Sequence, residues 1–407
     1  MRRLIICFLV LFSVQGFSQQ VLTNYTTANS PLPENSVRCI EVDHIGRKWI
    51  GTDYGLAVFD DVNWNVYLPF SSGLPAMSVR AIAFDSLNNA WIGTLGGGVA
   101  KFDGTNWIVY DDTNSPITEN SIRTLAFDSA GALWIGNQDG LVKFDGTNWI
   151  VYSAASSIIQ NTIASKQKKK NRKVYAGSVN GGLFILHEDT IKSNLNISNG
   201  SGIPDNTILA FDEDSVGNIW MATPANGIVV YRNIGGWFWY YMGSSFIQSN
   251  SLSDIQFSND HQSVWVATAD SGIIRKTGTV YTCFNTVNTA MPDNNIQCLT
   301  IDSMNNIWIG TATQGVVKFQ DFTGLSNLAP AGNFESYPNP VSDKINFKAE
   351  ILPFTVEVMD VKGAIVYSET INTNLSSIDV SRLKNGIYSL KAVSKDNVAV
   401  IKRFCKQ

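Results

Sequence analysis

Three arginines occupy one position in successive stretches of the chain: Arg38, Arg80 and Arg123, each following a Val or Ile at the start of a strand-like run. Gln297 holds the same position in the last such stretch. A guanidinium presents a planar fork of donors that matches carboxylate and sulfate oxygens. Three of them at one level form a basic crescent suited to an acidic ligand. The alternative use is pairing with acids or carbonyls of their own or the next stretch. The turn residues Asp53, Tyr54, Gln138, Asp139, Asn180, Asn226, Asp270 and Gln314 fall beside these positions and complete the candidate binding set.

Other chemistry finds little support. His44, His187 and His261 are the only histidines and lie in different stretches, which weakens a metal cluster or a histidine base. Gly96-Gly97-Gly98 sits in a turn between strands, without the helix that a phosphate-binding loop needs. Asp212 to Gly217 has the look of a calcium loop but lacks its closing glutamate. No serine stands in a nucleophile-elbow context. The expectation is no catalytic residue, no metal and no cofactor. A net charge of -4 gives no basic footprint for nucleic acid.

What must position the arginines is a phrase repeated seven times: Trp49-Ile50-Gly51-Thr52, then copies beginning at Trp91, Trp134, Tyr175, Trp220, Trp265 and Trp308, in steps of 41 to 45 residues. A period in the forties built on strand formers is the signature of a β-propeller blade. The third copy is the cleanest. Ser121 to Phe127, Leu133 to Gly136, Leu141 to Phe144 and Asn148 to Tyr152 are four short strands separated by Asp/Asn/Gly turns. Glycine recurs before each third strand, where a turn demands positive φ.

The seventh copy has three strands and then runs into Gly324-Leu325-Ser326. Its missing fourth strand is expected at the other end, because Val21 to Pro31 matches the fourth strand and following loop of the second copy, Ile108 to Pro116. The fold class is therefore all-β: a seven-bladed β-propeller whose last blade is three strands plus one from the N-terminus. Six of the eleven tryptophans are the phrase itself, and the other five fall in fourth strands, so blade packing is their default role. Trp237-Phe238-Trp239-Tyr240-Tyr241 is the exception: alternation on an outer strand turns some rings outward, and Trp237, Trp239 and Tyr241 form a candidate contact surface. The fourth copy is worn. Ile163 to Lys173, including Lys168, Lys169 and Lys170, stands where the apolar strand and Asp-Gly turn belong, either as an anion-docking patch or as a solvated hairpin. Cys39 and Cys298 share one repeat position, and two small buried thiols are expected there rather than a bridge.

These repeats resemble the propeller repeats of periplasmic sensors in two-component regulators, with the pattern Asp-x-x-Gly-x-Leu-Trp-Ile-Gly-Thr-x-x-Gly-Leu carried by Asp43 to Leu56 and Asp128 to Leu141. In such sensors the propellers lead into a membrane helix and a kinase. Neither follows here, so the resemblance implies extracellular binding rather than signalling.

Both ends read as addresses. Arg2-Arg3, the apolar run Leu4 to Val14 and Gly16-Phe17-Ser18 have the layout of a signal peptide over 1–18. The propeller is assigned to 19–322, a linker to 323–333, and a small C-terminal β-sandwich to 334–407. That last segment is similar to the C-terminal sorting domain of the type IX secretion system. The matching residues are Tyr337, Pro338, Asn339 and Pro340, Asp360 and Gly363, Leu383, Gly386 and Tyr388, and the basic close from Lys402 to Lys406. The resemblance implies export across the outer membrane by that machinery, to the cell surface or the medium. The reading is an exported, non-catalytic binding or adhesion propeller that takes a glycan or a surface protein at its channel mouth. The alternative is a polysaccharide lyase or hydrolase on the same scaffold.

Overall fold

The computed structural model describes residues 21–153, 162–168, 173–232, 236–243, 247–320, 335–337, 341–348, 354–359, 365–371, 375–394 and 399–406. The expected leader 1–18 and linker 323–333 lie outside them, as do Lys169, Lys170, Pro338, Asn339, Pro340, Asp360 and Gly363, and the side chains of Lys168, Tyr337 and Lys402.

Residues 21–320 form one compact unit of seven four-stranded antiparallel sheets. Six are simple meanders, blades 1 to 6, spanning 37–67, 79–110, 122–153, 162–195, 210–240 and 252–284. Blade 7 is assembled from Ile296–Ile301, Ile307–Thr311, Val316–Gln320 and the N-terminal strand Val21–Tyr25, which pairs antiparallel with Val316–Gln320. The first strands of successive blades adjoin one another around the whole circuit, and that of blade 7 adjoins that of blade 1. The propeller therefore closes as its strand count requires.

The phrase explains how blades stack. Its glycine is needed because the next blade packs onto it: a Cβ at Gly51 would meet Cys39 Sγ at 2.5 Å and Val79 Cγ1 at 2.7 Å, and one at Gly310 would meet Cys298 Sγ and Val37 Cγ1 at the same distances. Cys39 and Cys298 keep free thiols, and burial pushes the pKa of both upward. Most of the tryptophans are gripped at the edge, on the face, or both. The indole N–H donates to the carboxylate six residues earlier in five blades: Trp49 to Asp43, Trp91 to Asp85, Trp134 to Asp128, Trp220 to Asp214 and Trp308 to Asp302, at 2.9 to 3.3 Å. The second carboxylate oxygen holds the turn, as Asp302 does by accepting the amides of Met304 and Asn306 at 2.9 Å. A cation lies over the ring from the paired strand: Lys101 on Trp91, Lys143 on Trp134, Arg275 on Trp265 and Lys318 on Trp308, 5.2 to 5.7 Å from the centroid. Each of these cations stands directly opposite its tryptophan in the strand register.

The seam between blades 7 and 1 carries an extra cation. Lys48 is buried with its Nζ 4.8 Å from the Trp308 ring and 2.5 Å from Asp61, and Lys318 reaches the same Asp61 at 3.7 Å. In blade 4, where the sequence had lost its apolar pattern, Thr162–Lys168 is nonetheless a strand paired with Lys173–Ser178. Its neighbours supply the pairing that its own residues do not favour.

The tail is a separate unit. One sheet joins Glu335–Tyr337, Lys344–Lys348 and Leu375–Asp379; the other joins Ile365–Ile371, Phe354–Met359, Gly386–Ser394 and Ala399–Lys406. Both contribute to one core that contains Ile345, Ile378, Val356, Leu390 and Phe404, which makes the unit a small sandwich. The basic close is a full strand, with Lys402 opposite Leu390.

Candidate functional site

Each of the three arginines sits at a β-bulge. The pairing of first and second strands slips between Val37 and Cys39, between Val79 and Ala81, and between Ile122 and Thr124. A bulge leaves its extra residue out of the ladder and re-aims its side chain. Here the side chain turns into the central channel, a space of about 650 Å³ lined by Arg38, Arg80, Arg123, Leu209, Ser253 and Gln297 among others. Ser253 and Gln297 stand at the equivalent bulges of blades 6 and 7. The mouth thus has a basic sector on blades 1 to 3, an apolar residue on blade 5, and neutral polar groups on blades 6 and 7.

The three arginines are not equivalent. Arg38 is locked: its Nε and Nη2 donate to Asp53 Oδ2 at 2.9 and 2.5 Å, and its Nη1 donates to Gln297 Oε1 at 3.2 Å. Ser36 and Ser78 donate to the two oxygens of the same Asp53 at 3.0 and 2.9 Å. Although partial burial opposes ionisation, the bonds from Arg38, Ser78 and Ser36 win and hold the Asp53 carboxyl at about 2. Arg80 touches Asp53 only through Nη2, at 3.3 Å, and its buried Nε has no partner. Burial lowers the Arg80 pKa, and the positive charges of Arg38 and Arg123 lower it further. Arg123 is exposed and makes no hydrogen bond or ion pair among the described residues. One arginine is structural, one is half engaged, and one is free.

Of the turn residues, only Asp53 joins the arginines. Tyr54, Gln138, Asp139, Asn180, Asp270 and Gln314 are exposed and are absent from the channel lining, while Asn226 donates to Asp205 at 3.0 Å. Reasoning from the sequence missed Ser36, Ser78, Leu209 and Ser253. Leu209 and Ser253 follow Ile208 and Leu252 as the arginines follow Val37, Val79 and Ile122, and that spacing is the signal available for them. Below the mouth the channel turns acidic, lined by Glu41, Asp212, Gln256 and Thr300. The aromatic run divides: Trp239 and Tyr241 are exposed, whereas Trp237 turns inward, packs on Tyr231 and donates to the Ser201 carbonyl. No cluster of metal-ligating side chains occurs among the described residues. Among the described residues no helix is long and apolar enough to cross a membrane.

In the tail, Tyr388 stacks on Phe404 at 5.6 Å and donates to the Lys384 carbonyl at 2.9 Å, Leu383 packs against the core, and Lys406 is buried. Residues 335–407 match the family model of the secretion system C-terminal sorting domain. The tail is a sorting domain of that family. Such a domain engages the secretion machinery and directs the chain to the cell surface or into the medium. Residues 290–313 match the two component regulator propeller family. No curated protein matches the chain.

Among solved structures, PorZ, an essential surface component of the type IX secretion system of Porphyromonas gingivalis, is similar with a TM-score of 0.61 and 18% identity. That likeness covers 92% of this chain but only 59% of PorZ. Virginiamycin B lyase from Staphylococcus aureus is similar with a TM-score of 0.60 and 12% identity, over 74% of this chain and 99% of the lyase. The WD40 propeller of Doa1 gives 0.54 and 12%, over 71% and 94%. At these identities the likeness concerns the fold alone.

Proposed function

We propose that the propeller is a non-catalytic binding module, carried outside the cell by its sorting domain, and that its channel mouth takes an anionic glycan. The observation that carries this reading is the unequal arginine crescent. Among the described residues Arg123 has no hydrogen-bond or ion-pair partner, Arg80 is held by Asp53 through one nitrogen alone, and the two repel each other. An anion seated beside them gives the exposed Arg123 guanidinium an acceptor and cancels its repulsion with Arg80. Arg38, held by Asp53, gives the site a fixed wall. The exposed Trp239 and Tyr241 offer a second, outer contact for sugar faces, and the lysines at 168–170 remain a further docking proposal.

The lyase reading has one observation in its favour, the fold shared with virginiamycin B lyase. A histidine-to-alanine variant of that enzyme is catalytically inactive. Among the described residues here, the channel lining holds no histidine: His44 and His261 lie in turns between first and second strands, and His187 ends a third strand. Binding without turnover fits this lining better.

The test is a screen of the exported protein against acidic and neutral glycans, with product analysis of each mixture. Binding confined to acidic glycans, weakened by Arg123→Ala, is the expected result. Binding indifferent to charge, or release of unsaturated or hydrolysed product, would overturn the reading.

A further inference from the structure

The geometry points to the form of ligand the mouth accepts: we infer that it takes the carboxylate-bearing terminal sugar of an acidic glycan, inserted end-on, and not the interior of a chain. This rests on the anion-binding reading above and goes further in two respects.

The first is topological. Arg38, Arg80 and Arg123 project from the innermost strands into the lumen of a closed ring. A groove open at both sides would let a polymer lie across it. A ring lumen admits only an end, unless the polymer threads right through. Threading is opposed from below, where the Glu41 and Asp212 side chains line the far opening. A polyanion entering past the arginines meets charge of its own sign there. The volume of about 650 Å³ is that of the channel as a whole, since Glu41 and Asp254 line it together with the arginines, so the space beside the arginines is smaller and suits one sugar rather than several.

The second is chemical. The crescent already binds one carboxylate, that of Asp53, with Arg38 on one oxygen and Arg80 on the other. Arg80 and Arg123 have donors left for a second planar carboxylate of the same kind. A terminal uronic acid brings that group on a ring small enough to enter.

The experiment uses the whole exported protein with polygalacturonate and alginate, as long polymers and as defined oligomers of three to six sugars, and with dextran sulfate as the sulfated polymer. Analytical ultracentrifugation gives the number of protein molecules per chain, and titration gives affinity per chain end. End-on binding predicts one protein per chain at every length, the same affinity per end, competition by the uronate monosaccharide, and at least tenfold weaker binding in Arg123→Ala. A protein count that rises with chain length would refute end-on insertion while leaving the anion reading intact. Binding to sulfated polymer with none to either uronate would refute the carboxylate assignment. No binding to any polyanion, or binding unchanged in Arg123→Ala, would refute the anion reading and this inference with it.

Discussion

The amide of Gly315 donates to the carbonyl of Asn35 at 3.0 Å, joining the last blade to the loop that leads into the first. The same bond recurs at four interior junctions: Gly98 to Asn120, Gly182 to Asn206, Gly227 to Asn250 and Gly272 to Asn294, at 2.8 to 3.1 Å. In each case the glycine has positive φ, between 72° and 84°, and a Cβ there would strike the backbone of the fourth strand. The closing junction thus reuses the linkage of the interior ones, and the N-terminal strand completes a blade that is otherwise like its neighbours.

That strand should matter for stability out of proportion to its length. Tyr25 stacks on Trp308 of its own blade and lies 5.2 Å from Phe59 and 5.6 Å from Trp64 of the first. Tyr25→Ala removes an aromatic shared by both sides of the seam and should cost about 3 kcal/mol. Urea denaturation of the purified protein measures it. A loss below about 0.5 kcal/mol would show that the seam holds without the ring.

The carboxylates beneath the tryptophans invite a sharper test. Asp302 is buried and accepts from Met304 and Asn306 amides, Asn306 Nδ2 and Trp308 Nε1. Asp302→Ala strands all four donors and should destabilise by about 3 kcal/mol or more. Asp103→Ala, in an exposed turn of blade 2, should cost far less. Equal losses in the two variants would mean that the tryptophan bond contributes nothing special.

Asp53 makes a prediction about acid. Its native pKa of about 2 lies below the model-compound value of 3.8, so its stabilising contribution is complete above about pH 4 and vanishes as the pH falls through 2. The stability advantage of wild type over Asp53→Asn should therefore be constant from pH 7 to pH 5 and shrink between 4 and 2. An advantage that grows on acidification would contradict the assigned partners.

Much of this was legible in the residues, for identifiable reasons. The phrase beginning at Trp49 and its six copies specify blades because a Trp, a packing glycine and a turn glycine recur with a fixed period. The closing strand was legible because Val21 to Tyr25 repeats the pattern of other fourth strands. The cation on each ring also left a trace, since Lys101, Lys143 and Lys318 all stand one residue before a third-strand Phe; its meaning needed the cross-strand register. What the sequence could not show was the split among the arginines. Only blade 1 carries an aspartate, Asp53, at the turn position that reaches them, and periodicity is blind to a feature present once. Trp237 faced inward for a similar reason: its partner, the Ser201 carbonyl, lies on a loop of irregular length.

The sorting domain predicts a location. A chain ending at Gly332 keeps the propeller and loses the tail, and it should accumulate within the cell envelope while the full chain reaches the outside. Fractionation and immunodetection decide this. Normal external appearance of the shortened chain would refute dependence on the tail.

The most direct test of the account is calorimetric titration of an acidic oligosaccharide into wild type, Arg123→Ala and Arg38→Ala, with melting temperatures measured alongside. Arg123 is free, so its loss should weaken binding by about 10- to 100-fold, the equivalent of about 1.5–3 kcal/mol for charged hydrogen bonds, and leave the melting temperature unchanged. Arg38 is locked to Asp53, so its loss should lower the melting temperature as well. Unchanged affinity in Arg123→Ala, with wild type binding the same sugar, would contradict the claim that the channel mouth is the binding site.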